Sequence, residues 1–180
     1  MLPSKLVSKK FLRFLFFTFV MLTCTHLQTT IWFSFFGYFP SPCFWVPVFV
    51  YLMMNRPFPY NLAWLIYFYL IFLTQTTAVP ITLFLSIMTL WSLILFFQKR
   101  FSTMSMGDFI FVTAITTFLF PGVYFLYSMF TFANPHLDLL MNFISFVLTL
   151  PVIPPTLSVL KHMDRFFTPN PCEDNLVIHL

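Results

Sequence analysis

The residues that could do chemistry in this chain are few, and their spacing is poor for it. Cys24 and His26 supply a thiol and an imidazole two positions apart. Residues at that separation point to different sides of a helix, so they cannot act as a local nucleophile and base. His26 shares its helix face with Thr25, Thr29 and Thr30. This stripe is expected to be a polar packing seam, in which each hydrogen bond to a neighbouring helix contributes about 0.6 kcal/mol. His136 with Asp138, and His162 with Asp164, read as polar helix boundaries rather than acid–base pairs. The chain has no Gly-rich phosphate loop, serine elbow or HExxH motif. Its three cysteines, Cys24, Cys43 and Cys172, are odd in number and follow no metal-ligand spacing. Neither a zinc site nor a structural disulfide is expected, and the chain reads as a non-enzyme without a cofactor.

The elements that carry these residues are apolar. A composition of 59% hydrophobic and 8% charged residues, against about 25% charged in soluble domains, belongs to a membrane protein. The pattern predicts an all-α polytopic membrane protein with six transmembrane helices, at about 14–36, 38–54, 62–78, 81–97, 109–132 and 138–160. They form one integral membrane domain over 1–166, followed by a short cytoplasmic tail at 167–180. At about 1.5 Å per residue the longer runs cross a hydrocarbon core of roughly 30 Å. The second is short, with its apolar run confined to 43–54, and needs 38–42 as an outer extension. Pro47, Pro121 beside Gly122, and the set Pro151, Pro154 and Pro155 predict proline-broken second, fifth and sixth spans. Pro80 suits the first turn of the fourth helix, and Asp108 and Asp138 suit the openings of the fifth and sixth. The N-terminus has the basic start of a signal peptide, but its apolar run continues past Val20 and meets no small-x-small cleavage site. It reads as an uncleaved first span.

Charge fixes the expected topology. Lys5, Lys9, Lys10 and Arg13 precede the first span, Arg56 follows the second, Lys99 and Arg100 follow the fourth, and Lys161 and Arg165 follow the sixth. All nine basic residues therefore fall on one side, which by the positive-inside rule is the cytoplasm, with both termini inside. Orientation also explains the net charge of +4, so nucleic acid is not expected as a partner. The five acidic residues, Asp108, Asp138, Asp164, Glu173 and Asp174, all lie at helix starts or beyond the last span. A proton-coupled transporter or a paired-carboxylate protease would need such groups inside the membrane. Of the four tryptophans, Trp32 and Trp45 fit an outer aromatic belt, Trp64 fits an inner one, and Trp91 is expected between helices.

The run Pro42-Cys43-Phe44-Trp45-Val46-Pro47-Val48-Phe49-Val50-Tyr51, followed by Arg56-Pro57, resembles the proline-led second span and basic-proline turn of the bacterial rod-shape-determining protein family MreD. Gln28 in the first span fits, as does the proline-interrupted last span followed by Lys161 and Arg165. The resemblance runs from Leu15 to Phe166. It departs at the third span, where the family usually carries glycines and an aspartate but 69–75 has no acidic residue, and at Pro80, near the place of a family glycine. The resemblance implies a non-enzymatic scaffold in the bacterial inner membrane, a component of the cell-elongation machinery. It would bind the single-span protein MreC and help couple MreB filaments to RodA and its penicillin-binding transpeptidase, which synthesise peptidoglycan. On the residues alone, a weak preference for the partner surface falls on the second span and its turn: Trp45, Tyr51, Arg56 and Pro57.

The main alternative is a substrate-binding membrane subunit of a vitamin or metal importer, which has a similar six-helix layout. Such subunits dock through small residues on their first helix. Here the first span offers bulky Phe, Leu and Thr, and the whole chain has only three glycines.

Overall fold

The computed structural model describes residues 3–56, 60–76, 78–101, 105–131 and 138–167, with side chains from residue 11 onward, and every regular element among them is helical. Pro57, the Asn134-Pro135-His136 turn and the tail with Cys172, Glu173 and Asp174 lie outside the described residues. Among the described residues, four helical runs are long and apolar enough to cross a membrane: Phe11–Phe36, Pro80–Arg100, Met106–Phe130 and Leu139–Phe167.

The first run consists of α1 (Pro3–His26), a π-helical turn at Leu27–Ile31 and α2 (Trp32–Phe36). The widened turn lies where threonines bond back onto their own helix. Thr25 Oγ1 donates to the carbonyls of Met21 and Leu22, both at 3.0 Å, and Thr29 Oγ1 donates to the carbonyl of Thr25 at 2.9 Å. Such back-bonding competes with the regular ladder and bends helices. Gly37 stops the run, because its φ of 62° is open to glycine and strained for other residues. Its N–H caps the carbonyl of Phe33 at 2.9 Å. Trp32 then holds the returning chain, stacking on Phe36 at 4.4 Å and donating Nε1–H to the carbonyl of Phe39 at 3.0 Å.

The second expected span is shorter than predicted. Only α3 (Trp45–Met54) is helical, and 38–44 is not a helical extension of it. Pro47 does not break this helix, because it is the third helical residue, in the first turn, where a backbone N–H has no partner inside the helix. All ten residues of α3 are buried, as befits a helix that is apolar on every face. The irregular segment before it is tolerated because its polar groups are met by protein: Cys43 N–H donates to Thr149 Oγ1 at 2.8 Å.

The next hairpin pairs α4 (Tyr60–Gln75) with α5 (Pro80–Arg100), and Pro80 stands in the first turn as its geometry requires. Tyr69 joins the two helices, with its hydroxyl donating to the carbonyl of Pro80 at 3.2 Å and its ring against Phe84. The fifth expected span, α6 (Met106–Phe130), continues through Pro121 without interruption. The predicted break is absent there: Pro121 deletes one backbone donor, and a long helix among other helices keeps its ladder on both sides. Asp108 opens α6 as expected for an acid at a helix start, and does so in a reciprocal box with Ser105. Ser105 Oγ accepts from Asp108 N at 3.1 Å, and Asp108 Oδ2 accepts from Ser105 N at 3.0 Å. Ser105→Ala should cost about 1 kcal/mol by losing this cap, read as a lower thermal midpoint of the purified protein.

The sixth run does break. α7 (Leu139–Thr149), capped by Asp138 through Met141 N at 3.1 Å, passes through a 3₁₀ turn at Leu150–Val152 into α8 (Ile153–Phe167). Pro151 falls in the tight turn, and Pro154 and Pro155 fall in the first turn of α8, so all three sit where their missing N–H groups are unneeded.

Around α3 pack α1, α4, α5, α6 and α8. The core centres on Trp45, whose ring lies 4.8 Å from Phe72, 5.0 Å from Phe120 and 5.4 Å from Phe68. Trp45 is thus a core residue, 2% exposed, and not a member of an interfacial belt. Trp64 is half-buried against Phe14 and Phe17, and Trp91 is half-buried with its Nε1 enclosed.

Candidate functional site

The middle of α1 at Arg13, the end of α3, the end of α5 and the end of α8 meet at one pole of the bundle. At their centre is Asp164. Its Oδ1 accepts from Arg13 Nε at 2.8 Å and lies 2.5 Å from Arg13 Nη2 and 3.3 Å from Arg56 Nη2. Its Oδ2 accepts from the Tyr51 hydroxyl at 3.2 Å. These partners stand 151, 108 and 113 positions away in sequence, so one carboxylate ties the first, second and last expected spans together. The three charged side chains are 15 to 18% exposed, enough burial to strengthen the attraction and to make a lost partner costly.

Local structure places each member. Arg13 and Phe17 are one helical turn apart on α1 and so share a face. Phe17 is fully buried, stacks on Tyr51 at 6.1 Å, and lies 5.8 Å from the Arg56 guanidinium carbon, in cation–π range. Arg56 follows the end of α3, where Asn55 Nδ2 donates to the Tyr51 carbonyl at 3.0 Å. Gln98 of α5 finishes the turn, with Nε2 donating to the carbonyls of Met54 at 3.0 Å and Arg56 at 3.2 Å. Those two bonds satisfy carbonyls that a helix end leaves unpaired. The carboxylate is engaged through both oxygens with donors from three segments, which makes this constellation a clamp.

A smaller polar joint lies at the opposite pole. Ser145 Oγ donates to the Ser41 carbonyl at 2.5 Å and lies 3.6 Å from Cys43 Sγ. Thr149, fully buried, accepts from Cys43 N and donates to the Ser145 carbonyl at 2.7 Å. It fastens the entry to α3 onto α7.

No protein-family model, curated protein or solved structure matches the chain.

The residues preferred from sequence as a partner surface are divided by the structure. Trp45 and Tyr51 are buried at 2% and 3% exposure and pack within the chain's own bundle. Helix α3 is enclosed on all sides by its neighbours, so its lack of length reflects burial in protein. Arg56 belongs to the clamp, and Pro57 lies outside the described residues. The threonine and histidine stripe is also divided. Thr25 is buried at 1% exposure, whereas His26, Thr29 and Thr30 are exposed and bond along their own helix, Thr30 Oγ1 lying 3.3 Å from His26 Nδ1. Within this chain they do not form a seam between helices. Cys24 is half-buried.

Sequence reading missed Asp164 as an organising residue, and a signal for it existed. It is the acid that follows the last span directly, on the side where the basic residues collect. A carboxylate at a helix end among several cations is the expected centre of an ion cluster.

Proposed function

We infer that the chain is a membrane assembly protein that crosses the bilayer six times, with the Asp164 pole in the cytoplasm, and that it holds a partner helix against its first span. The observation that carries this reading is the outward face of that span. Thr23, His26, Thr29, Thr30 and Ser34 are exposed near its middle and outer half, and no residue of the π-turn or of α2 is buried. These groups bond along their own helix, and the hydrogen-bonding capacity they have left is met in hydrocarbon only where they face protein or water. A stripe that turns away from its own bundle calls for a second protein to cover it.

The resemblance to MreD names such a partner, a single-span MreC-like protein of the bacterial inner membrane, and through it MreB, RodA and the penicillin-binding transpeptidase. The Asp164 clamp fits a scaffold as well, since it fixes the cytoplasmic ends of three spans relative to one another. The six crossings require α3 and α4 to traverse the bilayer despite their length. The meeting of Arg13, Arg56, Gln98 and Asp164 at one pole supports that path.

Two results test the reading. Depletion should round the cells of the bacterial host, and the protein should co-purify with an MreC-like chain; rod shape kept after clean depletion would sink the cell-elongation role. The pair His26→Leu and Thr30→Val should reduce co-purification at least tenfold while leaving the thermal midpoint of the isolated chain unchanged, because their hydrogen bond is local and exposed. Undiminished capture by that variant would exclude this face as the docking surface.

A further inference from the structure

Among the described residues, the pole that holds Asp164 carries more cations than acids. Arg13 and Arg56 already share that carboxylate. Asp108, carried to the same pole at the start of α6 beside the end of α5, is turned into its capping box with Ser105. Lys99 and Arg100 end α5 and are exposed, Arg165 in the last turn of α8 is exposed, and Lys161 one turn earlier is half-buried. None of these four makes an ion pair among the described residues. The partial negative charge of a helix C-terminus attracts them, but it amounts to about half an elementary charge per helix and does not cancel two cations on each.

Apolar rings stand beside them. Phe96 is 61% exposed one turn before Arg100, and Phe166 is 71% exposed next to Arg165. A cation at the level of headgroups with an exposed ring beside it suits a ligand that has both an anionic head and a hydrocarbon tail. A soluble anion would use the cations and leave the rings idle. Basic residues at this depth attract anionic leaflets and lose that attraction within a Debye length.

We propose that the Lys99, Arg100, Lys161 and Arg165 pole binds anionic glycerophospholipid headgroups of its own leaflet in preference to zwitterionic ones. This rests on the chain lying in a bilayer and is independent of the scaffold reading, so either can fail alone. The test is thermal unfolding of the purified full chain in detergent micelles doped with phosphatidylglycerol, with phosphatidylcholine, or with inorganic phosphate and no lipid. Phosphatidylglycerol should raise the midpoint several degrees above phosphatidylcholine at low salt, the difference should collapse at about 0.5 M salt, and phosphate should leave the midpoint unmoved. The variant K99Q/R100Q/K161Q/R165Q, altered only at positions without ion pairs among the described residues, should stay folded in phosphatidylcholine with at most the small loss due to its helix C-termini, and should lose at least half of the phosphatidylglycerol increment measured from its own phosphatidylcholine midpoint. Equal midpoints for the two lipids in the wild type, an increment that survives high salt, or an equal rise with phosphate would each overturn the proposal. So would a folded variant that keeps the full increment. Should the variant fail to fold, the wild-type lipid and salt series decides alone.

Discussion

Asp164→Asn should lower the stability of the purified protein by about 2 kcal/mol, between the roughly 3 to 5 kcal/mol that loss of one partner costs a fully buried ion pair and the roughly 1 kcal/mol or less of an exposed one, since the cluster keeps some contact with solvent. The substitution removes the charge and keeps the shape. Arg13 and Arg56, both directed at Oδ1, then face each other with no anion between them, and the Tyr51 hydroxyl meets a neutral amide in place of Oδ2. For a chain of this size the thermal midpoint should fall by about 4 to 8 °C. Arg13→Gln should cost less, because Asp164 keeps Arg56 and Tyr51. A double-mutant cycle separates this clamp from a generic surface pair: if Arg13 and Asp164 act as a unit, the double variant loses clearly less than the sum of the two single losses. Additive losses would mean that the pair contributes nothing of its own.

Phe49→Ala should cost about 2 to 3 kcal/mol and leave a cavity at the centre of the bundle. Phe49 is fully buried, 4.9 Å from Phe68 and 6.1 Å from Trp45. In a water-soluble protein the same truncation loses both transfer and packing free energy, about 3 to 5 kcal/mol. A bilayer reduces the first term, because lipid is as apolar as the core, and leaves the second. Phe118→Ala is the matched control. Phe118 is 62% exposed with one ring neighbour, Phe146 at 5.7 Å, so its truncation should move the midpoint by less than a third as much. Similar shifts for the two would contradict an α3 enclosed by protein.

Much of the fold was legible because hydropathy and charge vary on the scale of whole helices. An acid at the end of α8 and cations that the positive-inside reading gathers on one side already imply a charged pole. Which cations would meet Asp164 was not legible, because Arg13 and Arg56 are brought to it by the packing of α1 and α3 and by no local pattern. The prolines were read by type, whereas position within the turn decides their effect: Pro47 and Pro154 fall where no donor is needed, and Pro121 falls where one can be spared. A short, proline-containing second span suggests from sequence backbone groups that need a partner, which is the reason for preferring Trp45 and Tyr51. The opposite consequence holds, since a helix buried on every face need not match the bilayer. The stripe at His26 was legible as polar and helical, while its direction depends on where α1 meets the bundle.

The most direct measurement is sided cysteine labelling of the chain in sealed membranes, on a background with Cys24, Cys43 and Cys172 replaced by serine. Tyr38→Cys and Asn55→Cys bracket the short helix α3, and both positions are exposed. A membrane-impermeant maleimide should modify position 38 from outside and position 55 only after the membrane is opened, with Lys99→Cys behaving like position 55. Labelling of 38 and 55 from the same side would contradict the six-crossing path and, with it, the cytoplasmic pole gathered around Asp164.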